Sequence, residues 1–192
     1  MVSKMAKYPE IKNLIRIAKV LDELKIPYYV TGGFAVSIYG RPRFTADIDI
    51  IIKMSPHHKG KFTEKIGKIF PKGYIDKDQI DTALARHGEF NIIDPESGLK
   101  VDFWIAKKEE FEEECFKTAS SKDIDYKVKF ISPENLIISK LIWYRESGST
   151  RQLEDIASVM DIQEKLDKVY LQKWIKKLGL EKEWGELKKI TK

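Results

Sequence analysis

The fold of this chain is decided by one stretch, TGGFAVSIYGRPRFTADIDIII, which runs from Thr31 to Ile52. A glycine pair opens a short apolar segment, for which we predict a helix over residues 34–39 that stops at Gly40. A basic turn follows, with Arg41 and Arg43 around a proline. The remainder predicts a β-strand over residues 45–53, because isoleucines alternate there with two aspartates.

The predicted strand carries two carboxylates two residues apart, Asp47 and Asp49. Successive strand side chains point to opposite faces, so both aspartates share one face and the intervening isoleucines take the other. A strand this apolar is expected to be buried, and buried carboxylates must be paired or bind metal. No basic residue stands between the two, so a divalent cation is the simplest compensation for their repulsion.

The glycine pair, Gly32 and Gly33, follows a short strand predicted at residues 28–30. Glycine permits positive φ and close approach of the backbone to a ligand. Amides at the start of the next helix favour an anion such as phosphate. A tight strand-to-helix turn without a ligand explains the same pair, and both interpretations stay open.

A third carboxylate lies on a later strand. Two apolar runs, at residues 89–94 and 99–106, flank Pro95-Glu96-Ser97-Gly98, which is typical of a hairpin. The second run places Asp102 on the face opposite to its apolar neighbours. If this strand pairs beside the strand over residues 45–53, three carboxylates converge.

The rest of the chain predicts an α/β (α+β) fold, with a mixed sheet flanked by helices and a helical C-terminal region. A strand is expected over residues 123–131. Composition shifts at Ser132 and Pro133, which suit the N-cap and the first position of a helix. We therefore expect one domain over residues 1–131, with a C-terminal helical region over residues 132–192 packed on it. Helices are predicted over residues 8–25, 76–87, 107–119, 133–146, 151–160, 166–178 and 181–190, and a helix face at 62–70.

Composition bounds the function. The chain has 192 residues, 34% charged and 42% hydrophobic, as in an ordinary globular protein. A net charge of +5 and a pI near 9.0 favour a polyanionic partner, although a solvated lysine-rich surface explains them equally. Abundant Lys, Glu and Ile with scarce Gln and Asn resemble thermophile proteins. Without a signal peptide or an apolar membrane span, we expect a cytoplasmic protein with no membrane partner.

The single cysteine, Cys115, follows three glutamates. One cysteine forms no disulfide within the chain. Acidic neighbours raise the pKa of a thiol and make it a poor nucleophile. We therefore expect Cys115 to be a packing residue of a helix and not a nucleophile.

The motifs together resemble the nucleotidyltransferase superfamily, which has the fold of DNA polymerase beta. The resemblance rests on Gly-Gly-Phe-Ala at residues 32–35, followed by Arg-x-Thr-x-Asp-Ile-Asp-Ile at residues 43–50. It is strongest over residues 28–106 and looks like the minimal prokaryotic branch that includes the abortive-infection (AbiEii) toxin-like proteins. Gly-Gly stands where the superfamily most often has Gly-Ser, so backbone amides replace a hydroxyl there.

The resemblance implies a role for each motif residue. Asp47, Asp49 and Asp102 are the predicted catalytic and metal-binding residues, holding two Mg²⁺ ions, or Mn²⁺ in their place. The predicted nucleotide-binding residues are Gly32, Gly33, Arg43, Thr45 and Lys140.

Three of these assignments have a structural alternative. Arg43 also fits an ordinary surface turn, and Lys140 a lysine whose stem lies along an apolar helix. Arg151 and Asp155, four residues apart on one helix face, shape the site by resemblance. Their spacing favours a structural ion pair.

The expected function is Mg²⁺-dependent transfer of a nucleoside monophosphate from a nucleoside triphosphate, with ATP included, to a hydroxyl. The acceptor is an RNA end such as tRNA, a protein or a small molecule, and the antibiotic-type enzymes are the alternative within this class. A different class also stays open, a non-catalytic nucleotide-binding module or one partner of a toxin–antitoxin pair. Turnover separates the two classes.

Overall fold

The computed structural model of the chain describes residues 8–43, 45 and 47–190. These residues form seven strands and nine α-helices, and most predicted elements are confirmed with shifted ends. In chain order they are α1 (Pro9–Glu23), β1 (Tyr28–Thr31), α2 (Gly32–Tyr39), β2 (Asp47–Ile52), α3 (Lys59–Ile69), β3 (Tyr74–Ile75), α4 (Lys77–Arg86), β4 (Glu89–Ile93), β5 (Lys100–Ile105), α5 (Glu110–Thr118), β6 (Ser120–Asp123), β7 (Lys127–Phe130), α6 (Pro133–Ser147), α7 (Thr150–Ile162), α8 (Lys168–Lys177) and α9 (Glu181–Ile190).

The strands form one mixed sheet in the order β3-β4-β5-β2-β1-β7-β6. At its centre β2 runs parallel to β5 and antiparallel to β1, and β4 completes the predicted hairpin with β5. The α/β fold class is confirmed, and so is the β2–β5 pairing on which convergence of the three carboxylates depends.

The two faces of the sheet differ in chemistry. One face buries Ile48, Ile50 and Ile52 of β2 with Phe90 and Phe103. Phe62 of α3 packs edge-on against both rings, with centroids 5.8 and 5.3 Å away. The opposite face carries Asp47 and Asp49. Close packing of the apolar face fixes the strand register, which in turn fixes where the polar side chains emerge.

Helix α5 covers one end of the aspartate-bearing face. The Phe116 ring meets the Tyr29 ring edge-on at 4.8 Å, and Tyr29 is registered with Ile51 of β2. Lys53, just after β2, pairs with Glu113 at 2.7 Å. Helix α5 therefore lies over the C-terminal end of β2, and the aspartates lie at the N-terminal end of that strand.

The prediction of a single strand over residues 123–131 is wrong. The segment instead contributes to a hairpin in which β6 pairs antiparallel with β7. Asp125 lies in the connecting turn with φ of +75°. Aspartate tolerates this left-handed conformation better than most residues, so the turn needs neither glycine nor proline.

The described chain groups into two compact units. The first contains the sheet with α1 and α3 to α5, and the second contains residues 35–43 together with α6 to α9. The division into domains 1–131 and 132–192 stays a prediction. The second unit differs from the predicted helical region by including residues 35–43.

Hydrogen bonds within the second unit attach residues 35–43 to α7. The Arg41 N–H donates to Ser158 Oγ at 2.6 Å. Gln163, at the end of α7, donates through Nε2 to the Tyr39 carbonyl at 2.7 Å. Helix α6 begins as predicted, because the Ser132 hydroxyl accepts an N–H bond from its first turn at 3.2 Å.

Across the described ranges, no helix combines the length and the apolar composition needed to cross a bilayer.

Candidate active site

Two aspartates face each other at the centre of the sheet. Asp49 of β2 is registered directly with Asp102 of β5. Neighbouring strands lie about 4.8 Å apart, so both carboxylates leave the same face of the sheet next to each other. Asp47 leaves that face two residues earlier and is registered with Lys100. The structure thus places the three predicted aspartates on one face of the sheet, together with a lysine that the sequence interpretation overlooked.

Burial increases across this group. Asp47 is exposed and Asp49 is partly buried, whereas the Asp102 side chain is only 10% exposed. The expectation that the β2 carboxylates would be buried is therefore wrong for Asp47. The first position of a strand lies at the sheet margin, where water reaches the side chain.

Lys100 contacts the most buried carboxylate. Its Nζ donates a hydrogen bond to Asp102 Oδ2 at 2.9 Å and lies 2.8 Å from Oδ1. Oδ1 is buried and, within the described part of the chain, has no well-aligned hydrogen bond beyond this ionic contact. The hydrogen bond to Asp102, helped by the charges of Asp102 and Asp47, raises the pKa of Lys100.

Polar residues extend the aspartate pair on both sides. Thr31 of β1 is registered with Asp49, and Asn91 of β4 with Asp102. Both are partly buried. Four polar residues therefore cross four adjacent strands in one row. The sequence interpretation missed Asn91, since its alignment with Asp102 depends on the register of the hairpin.

Gly32 lies against the Asp49 carboxylate. It begins α2 with φ of +61°, and a Cβ added there would lie 1.8 Å from Asp49 Oδ2. Only glycine combines this φ with so close an approach. Gly33 is the second residue of α2, and Thr45 donates its hydroxyl to the Asp47 carbonyl at 3.2 Å. Contact with Asp49 therefore requires glycine at position 32, a requirement that the tight-turn interpretation did not include.

We expect Gly32→Ala to destabilise the protein more than Gly98→Ala. Gly98 has nearly the same φ, +68°, but an added Cβ meets nothing within 4 Å. Gly98→Ala isolates the backbone cost, roughly 1–2 kcal/mol. Gly32→Ala must also displace Asp49, which adds about 1–3 kcal/mol. Urea unfolding of both variants measures the difference, and equal unfolding free energies would contradict the close approach.

Arg43 and Lys140, two predicted nucleotide-binding residues, contact one carboxylate in the second unit. Arg43 pairs with Asp155 through two hydrogen bonds of 2.8 and 3.0 Å. Lys140 Nζ lies 2.8 Å from Asp155 Oδ2, and both side chains of this pair are at most 10% exposed. The nucleotide role of Arg43 and Lys140 stays a prediction. Their shared contact with Asp155 gives each a structural role as well.

Two expectations about this region are wrong. Lys140 is buried, so it is not a surface lysine lying along an apolar helix. The expected Arg151–Asp155 ion pair is not among the pairs of the described residues, and Arg151 is exposed. Asp155 points to Arg43 and Lys140, because a buried carboxylate gains more from two nearby cations than from one solvated arginine.

Cys115 is buried inside α5, as the sequence predicted. Burial raises the pKa of its thiol to about 12.

We expect native Cys115 to resist a thiol-specific disulfide reagent from about pH 7 to about pH 9, since little thiolate exists below the raised pKa. Protein unfolded in guanidinium is the control and should release one equivalent rapidly. Native reaction as fast as the unfolded control would show that the thiol is accessible.

The donor set of the aspartate group suits Mg²⁺ or Mn²⁺. All three candidate ligands are carboxylates, whose oxygens are the ligands that these ions prefer. A cation, the Lys100 ammonium, already lies against Asp102. Among the described residues no group of three or more His, Cys, Asp or Glu side chains stands arranged as a metal site. Metal binding by the aspartates stays a prediction that their chemistry fits.

Comparison with known proteins defines the class. The family described as nucleotidyl transferase of unknown function (DUF2204) matches residues 10–190. Because this match spans nearly the whole chain, the chain belongs to that family and is a nucleotidyltransferase. The AbiEii-like branch suggested by the sequence stays a prediction. A search of curated proteins gave no significant match.

Solved structures share the fold. The antibiotic-resistance factor ANT(2'')-Ia is 16% identical with a TM-score of 0.53, over 78% of this chain and 81% of its own. The lincosamide antibiotic adenylyltransferase LnuA, bound to lincomycin, is 17% identical with a TM-score of 0.52, over 79% and 97%. An antigenic nucleotidyltransferase-like protein from Paracoccidioides brasiliensis is 22% identical with a TM-score of 0.52, over 92% and 88%. At these identities the likeness shows the fold alone.

Proposed function

We propose that the protein transfers a nucleoside monophosphate from a nucleoside triphosphate to an acceptor hydroxyl in a Mg²⁺-dependent reaction. One observation carries this proposal, the direct registration of Asp49 with Asp102, with Asp47 on the same face. Carboxylates of like charge repel at this spacing, so their grouping favours a site for bound cations.

Asp47 and Asp49 would hold the ion on the nucleotide side, and Asp102 would share a second one. When bound, such ions supply positive charge against the phosphate and attacking oxygens. Asp102 Oδ1 is buried, with the Lys100 ammonium 2.8 Å away. Without that ammonium the oxygen could accept the proton of an acceptor hydroxyl or ligate a cation.

Gly32 supports the same proposal from the backbone. Its missing side chain lets the start of α2 approach Asp49 closely. Amides at a helix start attract phosphate oxygens. A triphosphate held here would therefore lie next to the carboxylates that act on it. Gly33 and Thr45, in the same unit, are proposed as further nucleotide contacts, and a nucleotide role of Arg43 and Lys140 stays a prediction.

An anionic acceptor fits the chain better than a cationic one. The net charge is +5, and helix α8 contains four lysines and no acidic residue. Lys173, Lys176 and Lys177 are exposed. An RNA end therefore ranks above the antibiotics that ANT(2'')-Ia and LnuA suggest, and a protein hydroxyl is the third candidate.

The Lys100 contact favours a second candidate, a nucleotide-binding module without turnover. An ammonium against Asp102 neutralises the carboxylate that would otherwise ligate metal or accept a proton. Such a module would bind a nucleoside triphosphate and leave it intact. A toxin or antitoxin role within this class rests on the sequence resemblance alone.

Pyrophosphate release tests the proposal. Wild-type protein is incubated with each of the four ribonucleoside triphosphates, with Mg²⁺ or EDTA, and with total RNA or a panel of aminoglycosides and lincosamides. We expect release that requires Mg²⁺, RNA and one preferred nucleotide. Calorimetric binding of a nucleotide without release under any condition would favour the binding module.

A further inference from the structure

Lys100 holds the most buried carboxylate of its unit. Every other ion pair among the described residues of the first unit involves a carboxylate at least 43% exposed, whereas the Asp102 side chain is 10% exposed. Exposed pairs contribute little and are formed readily by chance. A lysine that satisfies a buried carboxylate compensates a real cost of burial.

The strand geometry places Lys100 on the face of the sheet that carries the three aspartates. Lys100 is two residues before Asp102 on β5, so both side chains share a face. It is also registered with Asp47 across the β2–β5 pair. Lys100 therefore contacts Asp102 directly and is next to Asp47 on the neighbouring strand. Asp49, registered with Asp102, is on the same face.

We propose that Lys100 is a built-in counter-cation that competes with a divalent ion for Asp102 and is displaced when metal and nucleotide bind. This inference rests on the proposed metal-dependent function. The Lys100 side chain is 39% exposed, so its flexible stem can move the ammonium into water. Displacement resolves the conflict between an ammonium on Asp102 and a metal site at the same oxygens.

Competition has a thermodynamic consequence. A divalent ion that binds without nucleotide must break the Lys100–Asp102 contact and face a displaced positive charge nearby. A nucleoside triphosphate brings four negative charges that favour both the ion and the released ammonium. Lys100 thus keeps the site weak for free metal and couples metal binding to nucleotide binding.

Mn²⁺ binding in the absence of nucleotide tests this role. Free Mn²⁺ is followed by electron paramagnetic resonance during titration of wild type, Lys100→Met, Lys100→Arg and Lys68→Met. We expect Lys100→Met to bind Mn²⁺ about fivefold more tightly than wild type, the worth of one partly exposed ion pair. Lys100→Arg keeps the charge and should bind like wild type.

Lys68→Met is the matched control, because Lys68 pairs with Glu64 at 2.6 Å on α3, the helix that packs on the opposite face of the sheet. It removes one charge and one ion pair without touching the aspartates, and should leave Mn²⁺ affinity unchanged. Asp49→Asn, in the wild-type background, should abolish binding.

The outcomes separate the inference from the proposed function. Unchanged or weaker Mn²⁺ binding by Lys100→Met, with binding still lost in Asp49→Asn, would overturn the role of Lys100 and leave the metal site standing. No Mn²⁺ binding by wild type or Lys100→Met, with or without nucleoside triphosphate, would overturn the proposed metal-dependent function and the inference together.

Discussion

Asp49→Asn is expected to lower the rate of pyrophosphate release more than about a hundredfold, since losing an outer partner of a metal ligand already costs roughly 10–100-fold. Asp49 is the aspartate that lies next to both Asp102 and Gly32. It is registered with Asp102, and its carboxylate lies against Gly32. Asparagine keeps the shape that Gly32 accommodates but removes the negative charge, so the loss falls on catalysis and not on packing.

The measurement is pyrophosphate release by both proteins under the conditions in which wild type is active, with thermal unfolding in parallel. Asp123→Asn is the matched control, because it makes the same change in an exposed strand residue at the far edge of the sheet. We expect the control to retain wild-type rate and both variants to unfold near the wild-type temperature. Full activity in Asp49→Asn would exclude this carboxylate from the reaction.

The centre of the fold could be predicted because its signals are local. Alternation of isoleucine with Asp47 and Asp49 defined both the strand and its polar face before any pairing was known. The turn at residues 95–98 defined the β4–β5 hairpin in the same way and brought Asp102 into consideration. The family resemblance supplied the remaining step, that the two strands are neighbours.

The parts that escaped prediction depend on pairing across the chain. The proximity of Lys100 to the aspartates of β2 depends on the pairing of β5 with β2. Its position two residues before Asp102 already indicated that the two side chains share a face. Asp155 was judged by its own helix, yet its bidentate partner Arg43 lies 112 residues away. The β6–β7 turn at Asp125 contains no glycine or proline, so the alternating pattern predicted one continuous strand across it.

Asp155→Asn is expected to destabilise the protein by about 3–5 kcal/mol, the usual cost of removing one partner from a buried charge cluster. Asp155 is 5% exposed, with Arg43 and Lys140 both within 3.0 Å of its oxygens. The variant leaves the buried Lys140 ammonium facing a neutral amide. Urea unfolding measures the loss.

Asp161→Asn supplies the control, because Asp161 pairs with Arg41 in the same unit at an exposed site. The Arg41 side chain is 71% exposed and the Asp161 side chain 53%. That pair is worth about 0–1 kcal/mol. Comparable losses in Asp155→Asn and Asp161→Asn would show that the buried cluster contributes no more than a surface pair.

A double variant then separates the structural role of Lys140 from its predicted nucleotide contact. Lys140→Met with Asp155→Leu replaces a buried ion pair by apolar groups, which is often neutral or stabilising. Stability should therefore recover relative to Asp155→Asn, while Arg43, 26% exposed, turns to water. If Lys140 also binds the triphosphate, the recovered protein still binds nucleotide more weakly than wild type. Wild-type nucleotide affinity in the stable double variant would leave Lys140 with the structural role alone.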